Sequence, residues 1–118
     1  MGLYMDHFRF DGALPDLDAV KSEVERRIGS AWGLDGLEVK GQTVCAYTML
    51  EPFTRPVTCA VLQELGGQYV DLNGEPRALP IPEWAHRPIR EMRWSERMAV
   101  RYRWWAWFFG TARNKGRR

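Results

Sequence analysis

Leu37-Glu-Val-Lys-Gly-Gln-Thr-Val-Cys-Ala-Tyr-Thr-Met-Leu50 is the stretch on which the architecture turns. Residues 43–50 are rich in β-branched and aromatic side chains, residues 37–40 alternate apolar and charged ones, and Gly41-Gln42 between them suits a tight turn. Two strands joined so closely lie antiparallel and adjacent. Pro52 stops the second strand, because its ring fixes φ and removes a ladder donor.

A helix is expected on each side of this hairpin. Upstream, Asp16 is placed as an N-cap, Leu17, Val20, Val24 and Ile28 recur at spacings of three, four and four, and Gly29 closes the segment. Lys21, Glu23, Glu25 and Arg26 make its wet side. Downstream, Thr54 is a cap with Pro56 in the first turn; Val57, Val61, Leu62 and Leu65 supply an apolar face, and Gly66-Gly67 ends it. Outside the helices, residues 3–10 and 68–72 read as strands, the first stopped by Asp11-Gly12 and the second leading to an Asn73-Gly74 turn. The order β-α-β-β-α-β is the split βαβ arrangement of α+β, ferredoxin-like folds, an antiparallel sheet with both helices on one face. Its opposite face is the expected seat of the C-terminal third.

That third begins with a strap, residues 75–93. Four prolines within residues 76–88 prevent a long helix and favour extended backbone, with Leu79, Ile81 and Trp84 as anchors. Residues 94–110 then form an aromatic, basic helix that holds four of the six tryptophans, with Ser95 as its N-cap, and residues 111–118 a basic tail. The whole is one domain, built on an α+β body of residues 1–74. On a helical wheel Met98, Tyr102, Trp105 and Phe109 share a stripe expected to face the core, with Trp94 and Phe108 at its edge. Val100, Trp104 and Trp107 lie on the far side among Glu96, Arg93, Arg97 and Arg103, where a solvated helix would be polar. A helix apolar on two faces needs two surfaces to cover it.

Charge divides the same way. Residues 1–74 carry eleven Asp/Glu and six Lys/Arg, a net of −5, whereas residues 75–118 carry four and eleven, a net of +7, giving +2 in all. Either the basic end folds back onto the acidic body or it offers a surface to an anionic partner. Cys45 and Cys59 show no metal-site spacing and read as buried free thiols. The N-terminus has neither the basic nor the apolar region of a signal peptide, and the longest apolar run, residues 104–109, is six residues, too short to span a bilayer. A cytoplasmic location is expected.

Chemistry is not announced anywhere. There is no nucleophile elbow, phosphate-binding loop or dinucleotide fingerprint, and the two histidines, His7 and His86, read as structural or surface residues. No cofactor and no metal is expected. The composition favours a non-catalytic binding protein whose C-terminal helix docks a protein partner, or a second copy, through Trp104, Trp107, Phe108, Arg97, Arg101 and Arg103, since Trp and Arg dominate interface hot spots. Compact α+β proteins of the immunity and adaptor type share this general character. One alternative is a peripheral anchor on an anionic membrane surface, and another is single-stranded nucleic-acid binding, disfavoured by the acidic body.

Overall fold

In the computed structural model, which describes residues 3–30 and 32–103, the hairpin forms where the sequence places it. The elements run β1 (Leu3–Arg9), α1 (Leu17–Ile28), β2 (Leu34–Lys40), β3 (Thr43–Met49), α2 (Thr54–Glu64) and β4 (Gln68–Val70). Two short 3₁₀ turns, Glu83–His86 and Ile89–Glu91, follow, and α3 occupies residues 94–103, where the described chain ends.

The strands make one antiparallel sheet in the order β2-β3-β1-β4. Strand β3 is thus inserted between β1 and β2, and β1 between β3 and β4, which is the split βαβ topology of a ferredoxin-like fold. Two strand boundaries differ from expectation by more than one residue. Strand β2 begins at Leu34, three residues early, with an irregular register between Leu34 and Gly36, and β4 ends at Val70.

Local chemistry fixes both helix ends of α1. The Asp16 carboxylate accepts from the Asp18 N–H at 3.0 Å, and Gly29, at φ 96°, donates its N–H to the Glu25 carbonyl in a left-handed conformation that costs a glycine little. Helix α2 is capped differently from the expectation. Glu51, three residues before the helix, accepts from the N–H groups of Phe53 and Thr54, so Thr54 is the first helical residue and not its cap. Gly67 lets the chain turn back close to the helix: a Cβ there would lie 2.8 Å from the Phe10 ring and 2.9 Å from the Leu62 carbonyl.

The core lies between the sheet and the helices. Phe8, Val44, Val20, Val24, Val57 and Leu62 are fully or almost fully buried, each stabilising the fold by about 1.5–3 kcal/mol of apolar transfer. Alternation along β1 turns Asp6, Phe8 and Phe10 towards the helices and leaves Leu3 and Met5 exposed on the other side.

The strap is not seated where the sequence suggested. It crosses the helix layer, burying Ala85, Ile89 and Met92 in the core, and Trp84 meets Phe53 edge to face at 5.7 Å. The reason is visible in α2. No charged residue occurs between Arg55 and Glu64, and seven of its eleven residues are buried, so the helix needs a cover on the side away from the sheet as well. Leu79, Ile81 and Trp84 are its half-buried anchors, as the sequence indicated.

Helix α3 is also rotated relative to the wheel reading. Trp94 is 76% exposed, Met98 44% and Tyr102 79%, whereas Val100, on the opposite side, packs on the core. Trp105 and Phe109 lie outside the described residues. The phase is set upstream: Ile89 and Met92 enter the core, and the Arg97 guanidinium then donates to the Ile89 carbonyl at 3.1 Å. The helix starts at residue 94, two residues before a Ser95 cap would allow, and the Glu96 carboxylate accepts from the Arg93 N–H at 3.2 Å.

Candidate functional site

Among the polar arrangements of the described residues, three involve the helices. The first is a buried ion pair. Asp6, only 1% exposed, receives Nε and Nη2 of Arg55 at 2.9 and 3.0 Å and the Tyr69 hydroxyl at 3.1 Å. The Arg55 guanidinium also lies 4.2 Å from the centre of the Tyr4 ring. Burial and the Asp6 charge push the Tyr69 hydroxyl above its ordinary range, and burial keeps the neighbouring Cys59 thiol protonated. These groups clamp β1, β4 and α2 together; they hold no nucleophile in a reactive state.

The second arrangement anchors the strap. Arg27 of α1, 8% exposed, grips Glu64 of α2 with both terminal nitrogens at 3.0 and 2.7 Å, contacts Glu23 through Nε at 2.7 Å, and donates to the Ala85 carbonyl. His86 Nδ1 lies 2.6 Å from the second Glu64 oxygen. The Arg26 guanidinium, joined by Arg27, holds the Glu23 carboxyl down at about 2, and Arg27 chiefly lowers that of Glu64. One arginine thereby ties both helices to the strap.

The third is α3 and the space beneath it. Its outer side presents Trp94, Met98 and Tyr102 at intervals of four residues, a continuous exposed apolar stripe. Its inner side holds Arg97 on the Ile89 carbonyl, Val100 on the core, and Arg101 5.3 Å from the Phe53 ring centre. A cavity of about 370 Å³ opens between this side, the strap, the start of β1 and α2, lined by Tyr4, Trp84, Val100 and Arg103 among others.

Of the six candidate binding residues, Arg97 and Arg101 turn towards the body, Arg103 stands at the cavity, and Trp104, Trp107 and Phe108 lie outside the described residues. The exposed stripe was not expected. Its signal was present in Ile89 and Met92, whose apolar character three residues apart anchors the chain just before α3 and so fixes which side of the helix turns in. The cavity has no signal in any single segment, because its walls come from four.

Among the described residues, no group of three or more His, Cys, Asp or Glu is placed to hold a metal ion, and no helix is long and apolar enough to cross a membrane. Cys45 and Cys59 are buried, unpaired thiols. Comparison of the chain with protein-family models, curated proteins and solved structures gives no match in any of the three, so the functional reading rests on the residues themselves.

Proposed function

We propose that this protein is a non-catalytic binding module that captures a protein partner through its C-terminal helical segment. One observation carries the reading: Trp94, Met98 and Tyr102 form an exposed stripe of large apolar side chains on a helix whose other side is already fixed to the body. Trp and Tyr bury large area at little entropic cost and keep a polar tip, which is why they concentrate the energy of interfaces. Trp104, Trp107 and Phe108 extend the same aromatic segment in sequence.

A second reading has its own support. Arg87, Arg90 and Arg93 are exposed in the chain leading into the stripe, and rings flanked by cations suit the boundary of an anionic bilayer.

The test compares the wild-type protein with a Trp94→Ala/Tyr102→Ala variant in affinity capture from extracts of the source cell, in sedimentation with phosphatidylserine vesicles, and in light scattering. The expected result is a specific protein captured by the wild type and lost by the variant, with circular dichroism unchanged. Salt-sensitive sedimentation with vesicles and no captured protein would replace the first reading with the second. Equal capture by both proteins would overturn the role of the stripe, and a wild-type dimer that the variant loses would make the partner a second copy.

A further inference from the structure

The cavity beneath α3 lies on the side of the helix opposite the exposed stripe, and its size is that of a small-molecule pocket. Tyr4, Leu79, Ile81, Trp84 and Val100 give it apolar walls, and Pro80 and Pro82 on the strap contribute backbone without N–H donors. A ligand filling such a space is apolar over most of its surface.

The polar groups at the wall decide the rest. Arg55 is bound in two places by Asp6, and Glu51 already accepts from two N–H groups at the start of α2. Burial holds the Cys59 thiol in its neutral form. Arg103 differs from all three: it lines the cavity, is exposed, and makes no ion pair or hydrogen bond among the described residues. An apolar chamber whose one uncommitted guanidinium among the described residues stands at its edge complements a molecule with an apolar chain or ring and one anionic head.

We propose that this cavity binds a small amphipathic carboxylate, its apolar part held between the strap and Val100 and its carboxylate paired with Arg103. The site is separate from the outer stripe of α3 and does not depend on what that stripe contacts. The head remains near water, so its pairing contributes selectivity while burial of the tail contributes most of the affinity.

Calorimetric titration of the full chain with decanoate, decanol and decyltrimethylammonium, each below its micelle concentration, tests this. Decanoate should bind saturably at one site, about three- to five-fold tighter than decanol, with the cation weakest and the preference shrinking at high salt. Arg103→Gln should bring decanoate down to the affinity of decanol. Ile81→Trp, which fills the cavity, should weaken both, and Val100→Phe serves the same purpose if the first variant does not fold. Trp94→Ala, on the opposite side of the helix, should leave decanoate binding unchanged. Absence of saturable binding, equal affinity for decanoate and decanol, undiminished binding in a folded cavity-filled variant, or loss of binding in Trp94→Ala would each overturn the proposal.

Discussion

Arg55 on α2 and Asp6 on β1 face each other through two parallel hydrogen bonds of 2.9 and 3.0 Å, with Asp6 almost wholly shielded from water. A charge buried this deeply is tolerated only because its partner is fixed in a matching geometry. The pair therefore secures the position of α2 over the sheet more than it adds net stability.

Asp6→Asn should destabilise the fold by about 3 kcal/mol, since it removes the charge opposite a largely buried guanidinium. Asp6→Asn combined with Arg55→Met should recover part of that loss, because the remaining amide no longer faces a cation. Urea denaturation of the two variants beside the wild type measures both, and a double variant weaker than the single one would show that Arg55 stabilises the fold even without the Asp6 charge, for example through the Tyr4 ring.

Removing Arg27 should cost about 2 kcal/mol, less than for a fully buried ion because water still reaches Glu23 and Glu64. Its characteristic effect is on the strap. In Arg27→Met, amide hydrogen exchange should accelerate at residues 83–91 before it does in the sheet, because the Ala85 contact is lost with the guanidinium. Uniform acceleration throughout would mean the strap and the body open as one unit.

Acid should weaken the same junction. The Glu23 carboxyl titrates at about 2 in the folded protein against 4.5 in the unfolded chain, and that of Glu64 is also lowered. A depressed folded value means the contribution is fully present above pH 4.5 and disappears as pH falls towards 2. Stability of the wild type should therefore decline through that window more steeply than stability of Glu23→Gln, as followed by thermal melting at successive pH values.

The two thiols should react slowly. Cys45 and Cys59 are buried, and burial raises both thiol pKa values, so little thiolate is present to attack a disulfide reagent at neutral pH. Labelling with Ellman's reagent should be slow in the native protein and complete within the mixing time in denaturant. Prompt reaction of one native thiol would place it in an open position.

The orientation of α3 can be read from two substitutions of similar character. Met98→Asp, on the exposed side, should change stability by less than about 0.5 kcal/mol, whereas Val100→Asp should cost about 1–2 kcal/mol by placing a charge against the core. The reverse ranking would restore the orientation suggested by the helical wheel.

Local patterns determined most of the body. Asp16 and Gly29 delimit α1 because capping and left-handed turns are settled within a few residues, and the hairpin at Gly41-Gln42 forces β2 beside β3. These suffice for the six-element order and hence the split βαβ topology. What the sequence alone left open were the relations between distant segments. The strap lies over the helices because α2 has no polar side to give to water, a fact about α2 that the strap's own residues do not display. The face that α3 exposes follows from where Ile89 and Met92 are buried, and a wheel drawn on the helix by itself carries no such reference direction. Asp6 meets Arg55 across 49 residues and Arg27 meets Glu64 across 37, pairings decided by packing and not by spacing along the chain. Periodicity states which side of an element is apolar; only tertiary structure decides which surface covers it, because the hydrophobic effect rewards burial without specifying a direction.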